Sequence, residues 1–247
     1  MAFYVVSGTD LSPEQLQRHI LCVHLDLRAA IGIIGVAFPF FLWIVGHFYA
    51  RLPLQDSMSA YYHAAGFDGR SMRDWFVGLL FALGISLYLY KGFGRPENWA
   101  LNVAGAMAVA VAVIPEPRST SWITAHGFCA MTFFLCIAYV ALFCADNTLQ
   151  MIHDTNIRNP AKVIARLKLI YRVIGCVMVC AIVVVYILNT AFRTQYGTFW
   201  VEAGGVLPFG AFWLVKSWEL RRTGAELKTV RGETRKTAGR IISIERR

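Results

Sequence analysis

Charge is what this chain has least of. Asp, Glu, Lys and Arg together make 16% of its 247 residues, against about 25% in an average soluble domain. Too little charge remains to cover a water-facing surface, which excludes an ordinary soluble fold. Proline is also scarce, at 8 residues, so long apolar runs proceed with few interruptions, Pro208 in the last of them allowing a kink. Those runs lack the two-residue alternation of a barrel wall, which leaves helices as the way to satisfy the backbone in lipid. Internal repeats and low-complexity tracts are absent. Cysteine, at six residues, lies almost wholly inside apolar segments and reads as a small hydrophobe. Even Cys176-x3-Cys180 reads as packing, since a thiolate metal site deep in lipid is costly.

What is present is apolar. Hydrophobic residues reach 57% and the mean hydropathy is +0.50. A span needs about 20 mostly apolar residues, and six segments come near that length: Ala29–Ala50, Trp75–Lys91, Asn98–Ile114, Ile123–Cys144, Leu169–Asn189 and Phe199–Ser217. The expectation is an all-α, polytopic bundle of six spans. Residues 1–28 would precede it as an amphipathic surface segment, 29–217 would form the membrane domain, and 218–247 a basic tail. No cleavable signal peptide is read at the N-terminus. Ser12-Pro-Glu-Gln15 reads instead as a helix start, with Ser12 as N-cap and Pro13 at the first helical position.

The formal charge of +9 collects at the C-terminus, where ten Lys or Arg stand against four Glu from Lys216 onward. Lys and Arg in the connections place both termini on the cytoplasmic side of an inner membrane. The tail then meets anionic inner-leaflet lipids, each basic group contributing about 1 kcal/mol. Without interleaved aromatics or a binding module, it gives no reason to expect nucleic acid. Trp75, Trp99, Trp122, Trp200 and Trp218 sit near span ends, where indoles favour the headgroup layer.

Ionisable groups inside spans are rare and usually face a polar interior. On the predicted outer face this chain delivers Ser59, His63 and Asp74 from one connection, His126 from the fourth span and Glu202 from the sixth. Two imidazoles and one or two carboxylates suit a catalytic divalent metal with an open position for water. His63, His126 and Glu202 are the candidate metal ligands. Asp74 is the candidate to hold the metal-bound water, and Ser59 to donate to a developing oxyanion; Asp74 and Glu202 are interchangeable in these roles. Glu116, between Pro115 and Pro117, stands at the rim. Ser59 lacks the glycines of a nucleophile elbow, which argues against serine catalysis. Each residue also has a structural reading: Asp74 as a helix N-terminal charge, His126 as an interfacial histidine, Glu202 as a partner of Arg73 or Arg193.

Ser59-x3-His63 with Asp74 eleven positions later resembles the first half of the motif of the CREST superfamily, the membrane hydrolases that include alkaline ceramidases and adiponectin-receptor-like proteins. The resemblance covers about sixteen residues. It implies that His63 binds zinc, that Ser59 and Asp74 lie at the catalytic water, and that the chemistry is hydrolysis of a lipid amide. The family has seven core helices and takes two more histidine ligands from His-x3-His in the last. This chain has no histidine after His153, so His126 and Glu202 stand in for that pair. More globally, the chain looks similar to bacterial six-helix membrane proteins with an outer Ser-Ala-Tyr-Tyr-His segment, Arg-Asp at the second helix and Phe-Trp-x-Glu at the last. That likeness implies no activity.

Three function classes follow. A zinc-dependent lipid amide or ester hydrolase requires bound metal. An accessory or assembly subunit of a larger membrane complex requires none, and the basic tail and surface helix suit it. A channel or transporter requires a continuous polar path, against which the nearly featureless Val173–Leu188 argues.

Overall fold

The computed structural model describes residues 12–116, 124–149, 159–191 and 197–223. The chain is all-helical over these residues, with an isolated bridge between Ala65 and Ser71. Its helices are α1 (Pro13–Phe48), α2 (Arg73–Leu89), α3 (Arg95–Val113), α4 (Ala125–Tyr139, continued by a wide π turn, Val140–Cys144), the short α5 (Asp146–Leu149), α6 (Pro160–Ala191) and α7 (Gly197–Thr223). Gln15–Phe48, Ala125–Cys144 and Thr198–Arg222 are long and apolar enough to cross a membrane, so the protein is read as a membrane protein. At 17 residues, α2 is about 25 Å long, short of a hydrocarbon core of ~30 Å.

Ser12 caps α1 as its sequence predicts: its side chain accepts from the Gln15 N–H, and Gln15 reaches back to the Ser12 N–H. The surface segment and first span expected on either side of residue 28 are not separate pieces, because α1 runs unbroken for 36 residues. Nothing in Asp26-Leu-Arg-Ala29 breaks a helix. Residues 224–247, and the expected lipid contact of the tail with them, lie outside the described residues, as do Arg118, Trp122 and Arg193.

The long helices close into a ring in the order α1, α2, α3, α4, α6, α7 and back to α1. The α1–α7 seam is close-packed: a Cβ at Gly210 would lie 2.5 Å from the Val36 nitrogen, and one at Gly32 2.8 Å from Leu214 Cγ. Small residues there allow backbones to approach as they do between membrane helices. The ring encloses two apolar clusters, one around Ile31, Leu87, Phe209 and Trp213, the other around Phe38, Leu42, Tyr61 and Phe76.

The connection from α1 to α2 folds back on the bundle at what we call the loop end. Arg51 turns the chain out of α1 with φ 53°. Gly66 packs where a Cβ would stand 2.1 Å from the Ala50 carbonyl oxygen, so no larger residue fits. Hydrogen bonds from Gly66 to Arg70 and from Met72 to Ala64 shut the small loop, and Ser59–Tyr62 form a single 3-10 turn. The opposite end, holding the start of α1 and the end of α7, is the terminal end.

Candidate functional site

The loop end gathers most of the residues that the sequence singles out. Ser57 caps the 3-10 turn by accepting from the Ala60 N–H at 3.0 Å, and its hydroxyl shares a 2.9 Å hydrogen bond with that of Ser59. One residue away, the Met58 N–H donates to Glu202 Oε2 at 2.6 Å. The Phe199 N–H, in the first turn of α7, donates to the Asp56 carbonyl at 2.8 Å. The connection is thus pinned to the start of α7, and Glu202 takes a backbone donor rather than Arg73 as its hydrogen-bond partner. Arg73 instead lies over the Tyr62 ring, 4.6 Å from its centroid.

His63 is exposed and pairs through Nε2 with the Glu116 carbonyl oxygen at 3.0 Å. His126 is buried in the first turn of α4. Its Nδ1 lies 2.6 Å from the Ile114 carbonyl oxygen, which fixes the proton there and turns Nε2 toward Glu116 Oε2 at 3.5 Å. Thr124, the N-cap of α4, donates from its hydroxyl to the other Glu116 oxygen at 3.2 Å. Glu116, expected at the rim, is therefore the residue on which the end of α3, the start of α4 and the connection converge. Asp74 is exposed in the first turn of α2. It makes no hydrogen bond or ion pair among the described residues, which leaves it the favourable charge of a helix N-terminus.

Zinc binds imidazole nitrogen and carboxylate oxygen at about 2.0–2.2 Å, which places two ligands of a tetrahedral ion about 3.4 Å apart. His126 Nε2 and Glu116 Oε2 have that spacing, and an Nδ1 held on a carbonyl is how ligating imidazoles are commonly oriented. His63 and Glu202 direct their contacts to backbone groups instead. Among the described residues, no three or more His, Cys, Asp or Glu side chains form a group that could hold a metal ion. The structure brings together a pair of zinc-type donors, short of the three protein ligands of a catalytic zinc site.

Tyr61 supports the site from below. Its ring is fully buried 6.2 Å from that of Phe199, with Gly46 leaving room for it. Burial pushes its hydroxyl pKa up from the ordinary value of 10.0. The hydroxyl faces the Gln55 backbone but closes no hydrogen bond of ordinary geometry.

The sequence did not reveal a second cluster, at the terminal end. Arg28, Glu97, Lys216 and Glu219 are all at most 5% exposed. Arg28 donates from Nε and a terminal nitrogen to the Tyr90 hydroxyl, at 2.8 and 2.6 Å, and His24 stacks on the same ring. Glu97 accepts from the Phe93 N–H at 3.0 Å. Lys216 pairs with Glu219 at 3.4 Å and donates to the Ala145 carbonyl at 3.3 Å, where the π turn of α4 ends. Tyr171 donates its hydroxyl to Glu219 Oε2. The signal was the placing of single charges in apolar register on α1 and α7.

The chain matches no family model, no curated protein and no solved structure.

Proposed function

We propose that this protein is a multi-span inner-membrane hydrolase acting on a lipid amide or ester, with the loop end outward, both termini cytoplasmic and the basic tail on anionic lipid. What supports the site assignment is one observation: three side chains, His63 from the α1–α2 connection and Thr124 and His126 from the start of α4, meet on Glu116. Two of them are imidazoles, and one, His126, is buried, where an ionisable group is costly unless it is paired. His126, oriented by the Ile114 carbonyl, turns the lone pair of Nε2 toward a carboxylate, as a metal-ligating imidazole must. Ser59 adds a hydroxyl beside the Glu202-bound turn. A zinc ion would be held by His126 and Glu116 with His63 or Glu202 turned toward them, and would supply an activated water. The six-span topology extends the three apolar helices to all six long ones.

A second reading, an accessory subunit of a larger membrane complex, is favoured by a different observation. His63 and Glu202 each tie a backbone group of the fold in place, as structural residues do.

Metal analysis of detergent-purified, tag-free protein separates the two readings when run beside His63→Ala, His126→Ala and Glu116→Gln and followed by a screen of lipid amides and esters. About one zinc per chain, lost with His126 or Glu116 together with hydrolysis, is expected of the enzyme. A folded, metal-free wild type that turns over no such lipid, with variants that only melt earlier, would leave the accessory reading.

A further inference from the structure

Between α6 and α7 runs an open groove of about 470 Å³, lined by Val173, Cys176, Cys180 and Val184 on one wall and by Gly204 on the other. Its lining is apolar except at one end, where Arg172 stands exposed. Arg172 makes no ion pair among the described residues, whereas Lys168, one turn earlier, is paired with Asp146 at 2.5 Å. A Cβ at Gly204 would meet nothing within 4 Å, so the missing side chain deepens the groove without serving a helix contact. From Arg172 to Val184 the helix rises about 18 Å, close to the ~15 Å depth of one hydrocarbon leaflet.

We propose that this groove seats one acyl chain of an anionic phospholipid whose phosphate is bound by Arg172. An apolar channel of one leaflet's length with a single guanidinium at its end matches a lipid in both shape and charge. Guanidinium takes phosphate through two parallel hydrogen bonds, a geometry lysine does not offer. The groove lies apart from the loop-end cluster, so the assignment stands whether or not that cluster is catalytic.

The test is native mass spectrometry of the full chain released from micelles doped with phosphatidylglycerol or phosphatidylcholine. Wild type is expected to keep one phosphatidylglycerol. Arg172→Gln should bring its retention down about fivefold, the loss expected from one basic group near a membrane surface, toward that of phosphatidylcholine, whose choline cation already offsets its phosphate charge. Gly204→Phe and Cys180→Phe fill the groove from opposite walls, and each should exclude both lipids while helix content and melting temperature stay near wild type. Because the two fillings are independent, failure of one to fold leaves the other to decide. Equal retention by wild type and the folded variants, or no retained lipid in wild type, would overturn the proposal.

Discussion

The two ends of the bundle bury polar groups in opposite ways. At the terminal end the charges lie on the helices themselves and find their partners inside the ring: Lys216 pairs with Glu219, Glu219 also accepts from Tyr171, and Arg28 donates to Tyr90. At the loop end, side chains are paired mostly with backbone: His63 and His126 with carbonyls, Glu202 with the Met58 N–H. The first arrangement holds helices in register through mutually dependent charges. The second holds a loop in place while leaving Glu116 partly open to solvent. A site that must admit a substrate needs the second kind of order, because its groups have to stay reachable.

That contrast is broken most severely by removing one member of the terminal pair. Lys216→Met leaves Glu219 buried beside Tyr171 without its cation, and should cost about 3–5 kcal/mol. The double variant Lys216→Met, Glu219→Leu should recover much of that loss. Thermal unfolding of the three proteins in detergent checks it, and a double variant no better than the single would mean that the pair is not the unit of stability. At the loop end the expected losses are smaller. Glu202→Ala deprives the Met58 N–H of its acceptor and should cost about 1–3 kcal/mol. Glu202→Gln, which keeps an acceptor oxygen, should cost less. Limited proteolysis between residues 51 and 72 is the sharper readout, since cleavage there should speed up in the alanine variant while cleavage elsewhere keeps its wild-type rate.

The smallest effect belongs to Tyr61. Its pKa is raised in the folded protein, so the folded state holds the phenolic proton longer than the unfolded chain does. Stability is unaffected below the unfolded value of 10.0 and falls as pH rises above it. Tyr61→Phe removes a buried hydroxyl that lacks a hydrogen bond, so it should be neutral or slightly stabilising at pH 7 and should flatten the alkaline decline. Melting temperatures at pH 8, 10 and 11 would show whether it does.

Helices were legible in the sequence because apolar runs and the Ser12 cap are local signals. The loop-end residues were legible for a related reason: each is a conspicuous polar group at the start of a helix or in one connection. Their mutual arrangement was not. Nothing in the spacing of His63, Glu116 and His126 states that a carbonyl at Glu116 and another at Ile114 would take the imidazole nitrogens. The terminal cluster was missed because Arg28 and Glu219 lie just outside the apolar windows, in the stretches assigned to the surface segment and the basic tail. A helix such as α1 runs well beyond the span length, and burial beyond it depends on which neighbour covers the extra turns. In this fold Leu25 is buried against Leu220 and accepts a hydrogen bond from Ser217, while Asp26 pairs with Arg221 at the surface, contacts about 190 residues apart that no local pattern encodes.

The α1–α7 seam has a consequence for how the protein is made. Because α1 packs chiefly against α7, the ring stands open along one side until α7 has been made. For that interval the faces of Gly32 and Val36 are exposed to whatever helix is at hand. Closure, when it comes, joins helices that lie far apart along the chain, and a chain cut short before α7 is left with an unsealed flank rather than with a smaller finished bundle.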